Sequence, residues 1–115
     1  MCIRDSAYTA AKAALASTTK NLARTLAPEG ILVNAVAPGP VLTGSIRAAV
    51  RHAGGDDTDA VAAHEVLAAH YGTSVDLGRV GQPEELAEVI AFCASRRNSF
   101  MTGAQLNVDG GSDFA

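Results

Sequence analysis

The chain has 115 residues, a net charge of −3 and 48% hydrophobic residues, which limits it to one small globular unit. Its few basic residues are scattered, so we expect no nucleic-acid partner. No apolar run approaches the ~20 residues of a membrane span, and the first residues lack the apolar centre of a secretory signal. We therefore expect a cytoplasmic protein without a membrane anchor, whose two cysteines are free thiols.

The histidines and acidic residues do not form a metal-binding pattern. His64 and His70 are six residues apart, which directs them to different helix faces, and His52 lies across a Gly-Gly break. The aspartates of residues 56–59 lack the alternating ligands and the final glutamate of a calcium loop. We predict no metal site.

A first helix is predicted from about Ala7 to Leu26, because the breaker Pro28-Glu29-Gly30 follows it. Leu15, Leu22 and Leu26 form an apolar stripe along it. Such a stripe is typical of a helix that packs against a core, so we expect these leucines to be buried.

Tyr8 and Lys12 lie one helical turn apart at the start of this helix. A free phenol has a pKa of about 10 and is a poor acid or base at neutral pH. A lysine cation within roughly 4–6 Å stabilises a phenolate, so the pair predicts a tyrosine able to exchange a proton with a carbonyl or an alcohol. Chance spacing, with Lys12 merely extending into water, is the alternative.

Residues 31–37 are almost continuously apolar, which is typical of a parallel strand buried on both faces. Pro38-Gly39-Pro40 ends this strand, because proline cannot continue a ladder. Ligands of parallel α/β sheets bind beyond the carboxyl ends of strands, and a glycine there lets the backbone approach a flat ligand. A plain turn is the other interpretation.

Two alanine-rich amphipathic helices, Ser45–His52 and Asp59–Tyr71, are predicted between residues 43 and 77. A flexible acidic turn separates them, so we expect a mobile lid rather than a core. A further helix begins at Pro83 and a short strand follows at Gln105–Val108. The buried stripe expected for that helix consists of Leu86, Val89, Ile90 and Cys93. This order of elements predicts the end of a doubly wound parallel α/β sheet.

Four motifs in order resemble the C-terminal half of the classical short-chain dehydrogenase/reductase family. They are Tyr8–Leu15, Val33–Val41 with Thr43, Gly78–Glu85, and Thr102-Gly103 followed by Val108–Gly111. The resemblance implies an α/β fold that is the C-terminal portion of a doubly wound, parallel-sheet Rossmann fold. Residues 1–115 would form one partial domain, with a lid-like insertion at about 43–77.

The resemblance also implies a reaction and a cofactor. Tyr8 would be the acid/base of an oxidoreductase that transfers hydride between NAD or NADP and a secondary alcohol or ketone. Lys12 would favour the ionised form of Tyr8 and bind the ribose hydroxyls, so both residues would also contact the cofactor.

Four further positions resemble the family's nicotinamide-binding segment. Pro38 and Gly39 would flank the nicotinamide, while Val41 through its backbone and Thr43 through its hydroxyl would hold the carboxamide. Four other matching residues are interpreted as structural, because strand ends and hinges need satisfied polar groups. They are Asn34, Gly78, Arg79 and Asp109.

The chain departs from the family pattern at its start. Only seven residues precede Tyr8, and Ser6 is too near to replace the family's upstream catalytic serine. The glycine-rich pyrophosphate loop and the residue that selects NAD or NADP are absent too. We therefore expect a truncated chain, inactive alone and weak in binding NAD(P), whose residues 1–6 are not native.

The intact protein is expected to be a homodimer or homotetramer, as in most of the family. Two other functions stay open: a non-catalytic NAD(P)-binding or interaction protein on the same fold, and an inactive fragment. Retention of both Tyr8 and Lys12 favours the enzyme, since a binding module has no need of the pair.

Overall fold

The structure, a computed structural model, describes the backbone of residues 3–112 and the side chains of residues 6–112. Met1, Cys2 and the side chains of residues 3–5, all in the segment suspected of being non-native, lie outside the described residues. The helices are α1 (Ile3–Leu26), α2 (Gly44–His52), α3 (Ala60–Tyr71) and α4 (Pro83–Ala94), and the strands are β1 (Ala35–Pro38) and β2 (Gln105–Val108). A 3₁₀ turn, Ala27–Glu29, follows α1. No helix among these is long and apolar enough to cross a membrane.

The chain divides into two compact units, and the division falls within β1, α4 and β2. The first unit contains residues up to 36 and residues 92–106, and the second contains residues 37–91 and those from 107 onward. β1 and β2 pair in parallel. The Ala35 N–H donates to the Ala104 carbonyl at 2.9 Å, and the Gly39 N–H donates to the Val108 carbonyl at 3.1 Å. The predicted α/β class is confirmed.

β1 is shorter than the predicted strand, because residues 31–34 have no strand pairing. The Val33 N–H donates to the hydroxyl of Thr102 at 3.0 Å, and the Val33 carbonyl accepts from the Gly103 N–H at 2.7 Å. A side-chain hydroxyl thus takes the place of a ladder carbonyl. Regular pairing begins only at Ala35.

In the first unit, α1 packs against the rest of the unit through one narrow face in its C-terminal half. Thr19 and Ala23 are its buried residues among those whose side chains are described. Lys20 Nζ donates to the Gly103 carbonyl at 2.7 Å. The predicted burial of the leucine stripe is wrong, because Leu15 is 57% and Leu22 is 45% exposed.

Two asparagines fix the chain that precedes β2. Asn98, which is 6% exposed, donates to the Met101 carbonyl at 3.1 Å and accepts the Met101 N–H at 3.0 Å. Asn34 donates to the same carbonyl at 2.8 Å and accepts the Ala104 N–H at 3.0 Å. The Asn34 contacts are of the structural kind expected, whereas the sequence analysis did not single out Asn98.

The second unit contains a small hydrophobic core between α2 and α3. Its buried members are Leu42, Val50, Ala63, Leu67 and Val80. We expected these two helices to form a lid rather than a core. The expectation that they form no core is wrong, because α2 and α3 themselves supply most of the buried residues of this cluster.

α4 shows the same contrast between pattern and burial as α1. It begins at Pro83 as predicted, yet none of its residues is buried, and Ile90 is 49% exposed. The predicted full burial of its apolar stripe is therefore wrong, although Leu86, Val89 and Cys93 are half-buried. The described residues cover the apolar face only in part.

Candidate active site

Tyr8 and Lys12 lie on the same side of α1, in the first unit. The Lys12 ammonium lies over the Tyr8 ring, with Nζ 5.4 Å from the ring centroid. This is within the range of a cation–π contact, and the i, i+4 spacing on a helix produces it directly. Tyr8 is 67% exposed, so the phenol is open to water and to any molecule that approaches this end of the helix. The predicted juxtaposition of a phenol and a cation is confirmed.

The other predicted positions follow one another in the second unit: Pro38 ends β1, and Gly39, Val41 and Thr43 lie on the loop directly after it. In this loop, Gly39 packs closely against the turn formed by residues 109–112. A Cβ at Gly39 would lie 2.6 Å from Asp109 Cα and 2.7 Å from Ser112 Oγ. Glycine is therefore required here by the protein's own backbone, which is a different reason from the close ligand approach that the sequence suggested.

Val41 and Thr43 offer polar groups at the end of this loop. Val41 is buried and forms an isolated parallel bridge with Gly81, in which the Leu42 N–H donates to the Gly81 carbonyl at 2.9 Å. Among the hydrogen bonds of residues 6–112, the Val41 N–H has no partner. The Thr43 hydroxyl does not cap α2 and pairs with the Ser45 hydroxyl at 3.2 Å.

One backbone donor and one hydroxyl match the hydrogen-bonding needs of a carboxamide. The amide oxygen could accept from the Val41 N–H, and the amide nitrogen could donate to the Thr43 hydroxyl. The residues present therefore fit the group that the family resemblance assigns to them.

A cavity of about 120 Å³ lies beside this loop. That is well below the ~300–1,000 Å³ of typical small-molecule sites, so the cavity alone cannot hold a dinucleotide. Its wall includes Pro40, Val41, Leu77, Arg79, Leu86, Val108 and Asp109. Within residues 6–112 there is no group of three or more His, Cys, Asp or Glu side chains that could hold a metal ion.

A bidentate ion pair lies at the edge of the cavity. Arg79 donates to the two carboxylate oxygens of Glu85 at 2.7 and 2.8 Å. Glu85 also accepts the Gln82 N–H at 2.8 Å, which caps the start of α4. These hydrogen bonds, that of Arg79 first, lower the pKa of the Glu85 carboxyl to about 2. Arg79 thus has the structural role expected of it.

Known proteins are similar to this chain over nearly its whole length. The sequence profile of the family described as enoyl-(acyl carrier protein) reductase matches residues 2–113. A cyclohexanol dehydrogenase from Rhodococcus sp. (strain TK6) is 43% identical over 108 residues, which cover 94% of this chain and 35% of that protein.

Two solved structures are similar in fold as well as in sequence. A 3-oxoacyl-[acyl-carrier protein] reductase from Brucella melitensis with bound NAD superposes with a TM-score of 0.69 at 34% identity, over 94% of this chain and 34% of that one. An NADPH-dependent reductase involved in bacilysin biosynthesis superposes with a TM-score of 0.71 at 35% identity, over 90% of this chain and 38% of that one.

These similarities confirm the predicted fold as part of a doubly wound Rossmann sheet. The chain spans about a third of the length of the curated relatives that it matches. The profile match covers far more than half of the chain, and it agrees with the four motifs and with the Tyr8–Lys12 geometry. The chain belongs to the short-chain dehydrogenase/reductase family.

Proposed function

We propose that this chain is the C-terminal part of an NAD(P)-dependent oxidoreductase that interconverts a secondary alcohol and a ketone. The observation that carries the proposal is the Lys12 ammonium 5.4 Å from the centre of the exposed Tyr8 ring. The cyclohexanol dehydrogenase among its relatives supports the substrate class, and the NAD-bound and NADPH-dependent structural neighbours support the cofactor.

Tyr8 is the proton-transfer group in this proposal. Its phenol donates a proton to the carbonyl oxygen in the direction of reduction, and its phenolate takes a proton from the hydroxyl in the direction of oxidation. When bound, the nicotinamide supplies or accepts the hydride. Lys12 stabilises the negative charge left on the Tyr8 oxygen and binds the ribose hydroxyls.

Exposure of the pair limits what Lys12 can do in this chain. Water screens the attraction between an ammonium and a phenolate, whereas a covered site strengthens it several-fold. Tyr8 is 67% exposed, so efficient proton transfer requires a substrate, a cofactor and further protein surface to cover it.

Pro38, Gly39, Val41 and Thr43 form the cofactor-binding loop in this proposal. The Val41 N–H, which has no partner among residues 6–112, and the Thr43 hydroxyl hold the carboxamide, and Pro38 and Gly39 flank the ring. Residues 43–77 close over the substrate as a lid. Because α2 and α3 share a buried core, we infer that they would move as one body.

The whole enzyme is proposed to be a cytoplasmic homodimer or homotetramer. A non-catalytic NAD(P)-binding protein on the same fold is the alternative. It requires none of the proton-transfer chemistry of Tyr8, so it predicts that loss of the phenolic hydroxyl leaves function unchanged.

A chimaera separates these two functions. The segment of the Rhodococcus cyclohexanol dehydrogenase that aligns with this chain is replaced by residues 6–112, and turnover of cyclohexanol is measured. Tyr8→Phe is expected to lower turnover by about 10²-fold or more, the usual contribution of a positioned acid or base. Thr25→Val, which removes an exposed hydroxyl near the other end of the same helix, is the control and is expected to change little. Unchanged turnover in Tyr8→Phe would contradict the catalytic role.

A further inference from the structure

Three segments of the second unit lie in contact. The Pro38-Gly39-Pro40 loop and residues 75–77 each pack against the glycine turn, Asp109–Ser112. The Gly39 backbone contacts the turn so closely that a Cβ at Gly39 would lie 2.6 Å from Asp109 Cα. The Gly39 N–H donates to the Val108 carbonyl at 3.1 Å, directly before the turn.

The glycine turn is packed just as closely against residues 75–77. A Cβ at Gly110 would lie 2.8 Å from Val75 Cγ1, and a Cβ at Gly111 would lie 2.8 Å from Asp76 Cβ. Both glycines have left-handed backbone, with φ of +63° and +86°. The Leu77 N–H donates to the Gly110 carbonyl at 3.1 Å, so this contact is also hydrogen-bonded.

Residues 75–77 are in turn attached to α3. Val75 is 5% exposed, and its N–H donates to His64 Nε2 at 3.3 Å. The His64 ring belongs to α3, one of the two helices of the proposed lid. A continuous line of contacts therefore runs from α3 through Val75 and the glycine turn to Gly39.

We propose that Gly110 and Gly111 are positioning residues that couple the proposed lid to the Pro38-Gly39-Pro40 loop. We expect the glycine turn to move when either partner moves, because closely packed atoms leave no free volume into which one group could shift alone. The proposal rests on the proposed function in one respect, that this loop flanks the nicotinamide. The coupling itself is a property of the chain and needs no cofactor to be measured.

Amide hydrogen exchange of the full chain, followed by NMR, tests the coupling. In Gly110→Ala the added methyl group meets Val75, so the N–H groups of both Leu77 and Gly39 are expected to exchange about tenfold faster. The reference is the Val80 N–H, which donates to the Ala60 carbonyl within the core at 3.1 Å and reports any general loss of stability. Rates at Leu77 and Gly39 are therefore compared with the rate at Val80.

Gly30→Ala is the matched control for backbone strain. Gly30 has a φ of +74°, close to that of Gly110, but a Cβ there would meet nothing within 4 Å. This variant is expected to leave unchanged the amide exchange rates of Gly39 and Leu77 relative to that of Val80. In Gly110→Ala combined with Val75→Ala, the smaller side chain at 75 makes room, and both ratios are expected to return toward those of the wild type.

The coupling is overturned if Leu77 exchange accelerates while Gly39 exchange follows Val80, or if Gly30→Ala has the same effect as Gly110→Ala. Should Gly110→Ala fail to fold, Val75→Ala alone loosens the same contact without a clash, and the same comparison of Gly39 with Leu77 decides. These results are independent of Tyr8→Phe turnover, so failure of the coupling and failure of the proposed enzyme function are distinguished.

Discussion

Glu85 shows how much of a residue's role lies in its local sequence and how much does not. Its position three residues after Gln82, with Pro83 opening the helix, predicts that its carboxylate favours the helix N-terminus. The hydrogen bond from the Gln82 N–H is that interaction. The pairing with Arg79 depends on how the preceding loop turns back, so no local pattern of charges would have identified it.

The pKa of Glu85 leads to a prediction about acid stability. Because folding lowers it from 4.5 to about 2, Glu85 stabilises the fold above pH 4.5, and this contribution is lost as the pH falls toward 2. Glu85→Gln is expected to lower the urea midpoint at pH 7 and to unfold at nearly the wild-type midpoint near pH 2. The effect at pH 7 should be small, because both partners are partly exposed and water screens the pair.

Glu84→Gln is the control for this comparison, since Glu84 lies in the same first turn and makes neither of these contacts. Its urea midpoint should differ little from that of the wild type at pH 7. If Glu85→Gln lowers the urea midpoint equally at pH 7 and at pH 2, the loss of stability does not come from the ion pair.

At the scale of elements, α3 is a helix whose two ends are defined by single residues. The Asp59 carboxylate accepts the N–H groups of Val61 and Ala62, at 3.1 and 2.8 Å. Gly72 ends the helix with a left-handed φ of +68°. Both signals are local, although the prediction of a helix at Asp59–Tyr71 rested on the alanine-rich amphipathic pattern, which located its start to within a residue.

Removal of the cap is expected to destabilise the second unit. Asp59→Ala leaves two helix N–H groups without their acceptor, and this costs ~1 kcal/mol of unfolding free energy. Asp59→Asn retains an oxygen acceptor and should remain close to the wild type. Urea denaturation followed by circular dichroism measures both, and equal losses in the two variants would mean that the carboxylate charge, and not the cap hydrogen bond, stabilises α3.

Most helix ends were predictable from the sequence, although α1 begins at Ile3 and not at about Ala7, whereas burial and strand length were not predictable. The Leu15 and Leu22 stripe has the right period for a packed face, but periodicity does not specify a partner, and the described residues leave both leucines exposed. The start of β1 depends on the Thr102 hydroxyl, 69 residues along the chain from Val33. The Tyr8–Lys12 contact was predictable because a single helical turn determines it.

For the whole molecule, the residues of the proposal fall into two parts with different chemistry, one in each unit. In the proposal, the Tyr8–Lys12 pair would transfer protons, and the Pro38–Thr43 loop would offer polar groups to a carboxamide. Neither part contains the backbone donors of a glycine-rich loop that could bind the pyrophosphate, which carries most of the charge of a dinucleotide. The chain spans about a third of the length of its relatives, so we infer that this binding surface belongs to the remainder of the whole enzyme.

The last prediction concerns cofactor binding, and it follows from the lack of pyrophosphate-binding donors in these two parts. The purified 115-residue chain is titrated with NAD and with NADP by calorimetry. We expect a Kd of about 1 mM or weaker, which corresponds to a favourable binding free energy of about 4 kcal/mol at most. Two hydrogen bonds to a carboxamide and a cavity of about 120 Å³ offer too little contact to offset the ordering of a flexible dinucleotide. The active chimaera is the positive control, because it restores a complete cofactor site around the same loop. Micromolar binding by the isolated chain would show that it forms its own dinucleotide site, and the assignment of the pyrophosphate contacts to another part of the enzyme would then be wrong.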